Sequence, residues 1–280
     1  MDERLVLSHW AHSPRITHAP DGTYLLWHVG CGHGAPSDLS DKNCTNGTTP
    51  GTGPHTSARS TQKPAQQCKG INAMASRSIH GPWVPALGLD LSARPYLISA
   101  LDDPAPLHLP NGTTWIVGRS WNDPWPKGGG RTPMGIARSL HASWNSSYIV
   151  DRTPIPQFRN ATSKDAEYVA GEDDFVWIDR ETNTYHLLFH SMEGTCGDGD
   201  NEAGCHAFSR DGHSWYVSSS AAYNSTVRFV GGATKFVARR ERPLLVLDRS
   251  DGSPAFLLTA IQESWDSDHT YTHIQPVAHE

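Results

Sequence analysis

The chain repeats itself, and an internal repeat restricts the possible folds more than any single motif does. Four segments share one pattern: AHSPRITHAPDGTYLLWHVG from Ala11, LDDPAPLHLPNGTTWIVGRS from Leu101, GEDDFVWIDRETNTYHLLFH from Gly171 and RERPLLVLDRSDGSPAFLLTA from Arg240. In each, a polar head ending at Pro14, Pro104, Asp174 or Pro243 leads into an apolar strand, a turn rich in Asp, Asn and Gly, and a second strand. This is a repeated β-hairpin signature. A second pattern follows in three copies: AMASRSIHGPW ending at Trp83, GIARSLHASW ending at Trp144 and CHAFSRDGHSW ending at Trp215. An alternating strand, a turn and a closing Trp supply a third strand and the start of a fourth. Each repeat then reads as a four-stranded antiparallel unit, and such units stacked radially make a β-propeller.

Composition supports this all-β reading. The 280 residues include 25 Gly and 20 Pro, with 37% hydrophobic and 19% charged residues, which suits many short strands and turns. The last three copies begin at Leu101, Gly171 and Arg240, about 70 residues apart, whereas the first is lengthened by residues 31–70. That insert has almost no large apolar residue and is expected to be a glycosylated surface loop. The first copy starts close to Met1, and RLVLSHWAHSP reads as the tail of an earlier blade running into the next. The expectation is a single propeller domain over 1–280, with heads near 12, 102, 172 and 241. It would be five-bladed, with most of its first blade missing from this chain.

Six Asn-x-Ser/Thr sequons, at Asn43, Asn46, Asn111, Asn145, Asn160 and Asn224, lie in polar, turn-like settings and point to a secreted, extracellular glycoprotein. Five cysteines fit the same compartment. Cys196 and Cys205 bracket a polar loop and are expected to pair, two of Cys31, Cys44 and Cys68 could clip another loop, and one is left over. MDERLVLSHW lacks the basic and long apolar regions of a signal peptide, which again suggests a missing N-terminus. A net charge of -6 without a basic cluster argues against a nucleic-acid partner. The absence of an apolar run of about 18 residues argues against a membrane span. A monomer is expected.

In a propeller the innermost strands begin near one mouth of the central channel, so the residues just before the repeated Pro should converge there. These are His12 and Ser13, Asp102 and Asp103, Glu172 and Asp173, and Glu241 and Arg242. Carboxylates from separate blades facing one pocket are what glycoside hydrolysis needs, one as proton donor and one to activate water. The competing reading is an internal ring of ion pairs that locks the blades together. Histidines number 16, and His190 and His206 are candidate sugar contacts rather than metal ligands, because no dense ligand spacing occurs. The loop carrying Asp198, Asp200 and Glu202 lacks most of a calcium-loop pattern and reads as a solvated acidic loop. Trp83, Trp144 and Trp215 read as blade core, and Trp27, Trp121 and Trp125 as pocket or rim candidates.

DDPAP with its NG hairpin, GEDDFVWID followed by YHLLFH, GCHAFSRDGHSW and RERPLLVLD resemble the five-bladed propeller glycosidases of glycoside hydrolase family 43 and their secreted relatives. The resemblance covers most of the chain outside the insert. It implies an inverting hydrolase of arabinose- or xylose-containing glycans, with a base Asp, a second Asp that orients and tunes, and an acid Glu one blade later. Matched residue by residue, the acid falls on Glu172 and the tuning carboxylate on Asp103. Ser13 stands where a base Asp would be needed, and Asp174 where the family has Pro. The base therefore lay in a blade before Met1, or this lineage binds glycans without cleaving them.

The expected function is hydrolysis of O-glycosidic bonds in a plant or microbial oligosaccharide or polysaccharide. Glu172 and Asp103 would be catalytic, and His12, Asp102, Asp173, His190, His206, Arg240, Glu241, Arg242 and Trp27 would contact substrate. No cofactor is expected, though a structural calcium in the channel is conceivable. The alternatives are a non-catalytic carbohydrate-binding propeller and a protein-interaction platform.

Overall fold

The computed structural model describes residues 12–30, 70–86, 96–99, 101–120, 134–151, 171–191, 196 and 203–277. The described residues form only strands, turns and bends, in a propeller arrangement of four antiparallel blades. Blade 1 joins β1 (His12–His18), β2 (Tyr24–Val29), β3 (Ile71–Ser76) and β4 (Val84–Pro85) in that order. Blade 2 joins β5 (Leu101–His108), β6 (Thr114–Ser120), β7 (Met134–Ser139) and β8 (Tyr148–Asp151). Blade 3 joins β9 (Gly171–Asp179), β10 (Thr184–Ser191), β11 (Gly204–Ser209) and β12 (Tyr216–Val217). A short hairpin of β13 (Thr226–Arg228) and β14 (Thr234–Phe236) leads to blade 4, which has three strands, β15 (Arg239–Leu247), β16 (Pro254–Gln262) and β17 (Thr270–Pro276). Among the described residues, no helix is long and apolar enough to cross a membrane.

The core lies between the blades. Successive side chains on a strand point to opposite faces, so a strand sandwiched between two neighbours must be apolar on both. On β6, Ile116 packs with Leu25, Trp27 and Ala73 of blade 1, while the next residue, Val117, packs with Val176, Leu187 and Phe189 of blade 3. On β10, Leu187 and Phe189 face blade 2, and Leu188 faces Leu245 and Leu257 of blade 4. Full burial of each such side chain contributes about 1.5–3 kcal/mol. This explains why WIVG and HLLF are continuous apolar runs and do not alternate. Of the three repeated tryptophans expected in the core, Trp215 is fully buried, whereas Trp83 and Trp144 are half-buried. Trp144 keeps its indole N–H at the surface, donating to Asp21 Oδ2 of blade 1 at 3.0 Å.

The first hairpin of each blade turns at the same end. Gly22 and Gly112 take φ of 82° and 84°, open to glycine at no steric cost. Asp21 and Asn111 accept the N–H of Thr23 and Thr113 at 2.9 Å through their side-chain oxygens. At the other end, β2 leaves at Val29 and β3 returns at Ile71, and the β6–β7, β10–β11 and β16–β17 connections lie likewise. That end also holds the starts of β1, β5, β9 and β15 and is the mouth of the channel.

The expected Cys196–Cys205 disulfide is present and ties the β10–β11 connection. Cys31, Cys44 and Cys68, the insert up to residue 69, the acidic residues Asp198, Asp200 and Glu202, and the sequons at Asn43, Asn46 and Asn160 lie outside the described residues. The sequon residues Asn111, Asn145 and Asn224 are exposed.

Candidate active site

Each inner strand begins with the same irregularity. The pairing register slips between His12 and Arg15, between Asp102 and Ala105, between Glu172 and Phe175, and between Glu241 and Leu244. Within each slip one residue adopts a left-handed backbone: Ser13 at φ 47°, Asp103 at 50°, Asp173 at 58° and Arg242 at 57°. Such β-bulges re-aim a side chain out of the pleat, and an αL backbone is unusual for anything but glycine. Here the four re-aimed side chains meet. Ser13 Oγ donates to Asp103 Oδ1 at 2.5 Å, Arg242 Nη1 donates to Ser13 Oγ at 3.3 Å, and Arg242 Nη1 lies 3.3 Å from Asp173 Oδ1.

Arg119, near the end of β6, gathers the carboxylates of two blades. It grips Asp102 through two bonds of 3.1 Å, lies 3.4 Å from Asp103 Oδ2 and pairs with Glu172. Asp102 can approach this closely because Gly118 carries no Cβ, which would stand 2.4 Å from the Asp102 carbonyl oxygen. Arg15 reaches across from blade 1 and donates to the carbonyl oxygens of Asp174 at 3.1 Å and Pro243 at 3.3 Å. His190 on β10 sits opposite Glu172, with Nδ1 3.6 Å from Glu172 Oε1.

The arrangement separates the acids of the opening stretch GEDD. Burial alone would raise the pKa of Glu172, but His190 and Arg119 outweigh it and hold the carboxyl below its ordinary range. Asp173 is pushed up to about 6, chiefly by burial, with Arg242 opposing and the charges of Asp103 and Glu172 adding. Asp174 is raised well above the ordinary value by complete burial and by the charges of Asp103 and Asp173. Both its oxygens lack a hydrogen-bond partner among the described residues. Burial without a partner disfavours the charged form of this carboxyl. Among the carboxyls paired with Arg119 and Arg242, Glu172 has the most accessible side chain, at 20% against 5% for Asp102, 1% for Asp103 and 4% for Asp173.

Glu172, Asp173 and His190 each offer a ligand atom within 4.8 Å of the others. A calcium ion takes six to eight oxygen ligands, and Arg119 and Arg242 already pair with both carboxylates. The group is therefore a poor fit for calcium.

Of the residues expected from sequence, the structure brings Asp102, Asp103, Glu172, Asp173, His190 and Arg242 together. His12 opens β1 opposite Val29, and its side chain lies outside the described residues, as do Trp121 and Trp125. Four others stand elsewhere, for reasons of strand alternation. Trp27 is fully buried between blades 1 and 2 and donates to Thr17 Oγ1 at 2.9 Å, so it has no face to offer a sugar. Arg240 is buried over the Tyr223 ring and bonded to Thr259, the Asn224 carbonyl and Gln275, bracing blade 4. His206 lies two strands out, stacked on Trp177 and 2.9 Å from His186 Nδ1, its pKa lowered to about 4 by burial. Glu241 faces Arg239 at 3.5 Å and not the other heads. Sequence reasoning missed Arg119 and Arg15. The available signal was a lone Arg inside the apolar run WIVGRSW.

No protein-family model matches the chain, and no curated protein sequence does. Solved structures do. Endo-arabinase from Bacteroides thetaiotaomicron superposes with a TM-score of 0.52 at 12% identity, covering 98% of this chain and 79% of that one. Endo-1,4-beta-xylanase from the same organism gives 0.51 at 10%, covering 95% and 70%. Fructan 1-exohydrolase IIa from Cichorium intybus gives 0.52 at 11%, with 98% of this chain against 44% of that one. The fold is the β-propeller that these glycosidases share, as the family 43 resemblance implies.

Proposed function

We propose that this propeller of glycosidase fold hydrolyses O-glycosidic bonds of a plant or microbial glycan at the mouth where its heads meet, with inversion. The observation that carries the reading is the convergence of left-handed head residues, with carboxylates of two blades gathered on Arg119. Glu172 has the accessible carboxyl and is the proton donor to the leaving oxygen. Asp103, fixed by Arg119 and Ser13, orients and tunes it. The resting pair with Arg119 keeps Glu172 ionised, so the donor takes up its proton only when substrate displaces that pair and dries the site.

An inverting site also needs a carboxylate to activate water, and the Ser13 hydroxyl cannot serve. The base then belongs outside the described heads, in a fifth blade. The face of blade 4 turned from blade 3 supports this, since Val246, Phe256 and Ile274 stand exposed there while the faces between the other blades are buried. The 280 residues are read as one propeller domain of a secreted, monomeric glycoprotein, a reading supported by the exposed sequon residues and the disulfide.

The test is turnover of linear arabinan, xylan and inulin by the protein and its Glu172→Gln variant, with the product anomer read by NMR. The expected result is inverted product, with turnover lowered at least a hundredfold in the variant and glycan binding retained. Equal turnover would remove Glu172 from the donor role. Binding without turnover by the unaltered protein would favour the second reading, a non-catalytic glycan-binding propeller, which Ser13 and the ionised Glu172 support.

A further inference from the structure

The connection between β16 and β17 crosses the mouth end of blade 4. Gln262 closes β16 opposite Arg239, the first residue of β15, and opposite Thr270, the first of β17. The intervening chain is a tied turn. Ser267 N–H donates to the Ser264 carbonyl at 3.1 Å, the Gln262 side chain donates to the Ser267 carbonyl at 2.6 Å, and His269 N–H donates to Ser267 Oγ at 3.1 Å. At the corner of this turn stands Trp265, 62% exposed. A large indole held in water on an ordered turn is an expense that local folding does not require, because the turn's bonds are all made by its polar neighbours.

The indole is braced from one side. The Arg239 guanidinium lies 5.0 Å from its ring centroid and is itself 3.5 Å from Glu241 Oε1. The next residue along β15 is Arg242, whose guanidinium reaches Asp173 in the head cluster. Arg239, which braces Trp265, and Arg242, which reaches the charged centre, are three residues apart on one strand, at most about 10 Å of backbone. Its sequence neighbour Asp266 is exposed, and Glu263, two residues back, accepts from Lys235 Nζ at 2.5 Å and Tyr271 Oη at 2.9 Å. A rigid aromatic face with a few polar groups around it is suited to a sugar ring, whose C–H face stacks while its hydroxyls hydrogen-bond at the edge. Val230 and Phe236 are also exposed, but they lie on the β13–β14 hairpin, off this path.

We infer that Trp265, braced by Arg239, is the stacking platform of an outlying sugar subsite on the rim of blade 4, and that it holds a distal unit of a glycan chain extending from the head cluster. The inference rests on the glycan reading above and adds chain-length selectivity to it.

The experiment is calorimetric titration with arabino-oligosaccharides and xylo-oligosaccharides from disaccharide to hexasaccharide, using the full chain and its Trp265→Ala, Trp265→Tyr and Glu172→Gln variants. The expected result is a dissociation constant about tenfold weaker for the longest bound oligosaccharide in Trp265→Ala, an unchanged value for the shortest, and recovery in Trp265→Tyr. Glu172→Gln should keep the full dependence on chain length. An affinity matching that of the unaltered protein at every length in the Trp265→Ala variant overturns the subsite and leaves the glycan reading intact. No binding of any oligosaccharide by the unaltered protein overturns both. A fall in the thermal midpoint of Trp265→Ala with unchanged binding would assign the indole to packing against another sheet and also overturn the subsite.

Discussion

The two ends of the blades solve the same backbone problem in opposite ways. Both ends need left-handed residues. At the turn end these are Gly22, Gly112, Gly252 and Asn183, in hairpins whose polar groups are satisfied within a few residues. At the mouth they are Ser13, Asp103, Asp173 and Arg242, none of them glycine, and for Ser13 and Arg242 the αL backbone is costly. Those residues are held by partners 90 residues away, from Ser13 to Asp103, and 229 away, from Arg242 to Ser13. One end is local and relaxed, while the other stores backbone strain and buried charge that only the assembled ring supports. Strain concentrated where side chains of several blades converge is the pattern of a functional site.

Breaking the mouth should therefore cost most. Replacing Arg119 by Met leaves Asp102, Asp103 and Glu172 without their shared cation, and the loss should reach about 3–5 kcal/mol in urea unfolding. A loss under about 1 kcal/mol would mean that the mouth is not held by charge. At the turn end, Gly112→Ala meets a strained φ and an Ala142 carbonyl oxygen 2.9 Å from the new Cβ. The expected cost is about 2 kcal/mol with glycan affinity unchanged, and a change in affinity would show that the two ends are coupled.

The pH dependence of stability sharpens the contrast. Asp173 and Asp174 have raised folded pKa values, so their contribution is present below the ordinary value of 3.8 and is lost as pH rises through the folded values. For Asp173 that window closes at about 6. Glu172 has the opposite sign, and its contribution fades as pH falls. Asp174→Pro gives the third head the residue that the other three carry and removes the buried acid. It should gain about 1 kcal/mol at pH 8, with the gain shrinking toward pH 4 in unfolding curves taken across that range. A gain independent of pH would assign the effect to backbone entropy alone. The smallest effect belongs to Asn111→Ala, which removes one side-chain acceptor of a turn and should shift stability by about 0.5 kcal/mol without pH dependence.

The turn end was legible because its determinants are neighbours in sequence. Asp-Gly and Asn-Gly between apolar runs specify a hairpin wherever they occur, and three of the repeated heads announce themselves by Pro14, Pro104 and Pro243. The convergence of those heads also followed from the repeat. Which head residue faces the centre did not. Alternation would have sent Arg240 and Glu241 to opposite faces of a regular strand, but the bulge inserts a left-handed Arg242 that turns inward instead. Trp27 and His206 were misplaced for a related reason: without a bulge or loop to re-aim it, a side chain on a blade strand packs against a neighbouring blade, as Trp27 does, or along its own sheet, as His206 does on Trp177.

By itself the sequence determined the strand repeat, the turn chemistry, the Cys196–Cys205 link and the presence of an acidic head on two successive blades, because each depends on residues a few positions apart. Only the tertiary structure decided the fates of Glu172, Asp173 and Asp174. The opposite directions of their pKa shifts follow from Arg119 of blade 2, Arg242 of blade 4 and the depth of burial, and those distances exist only once the blades are packed around a common centre.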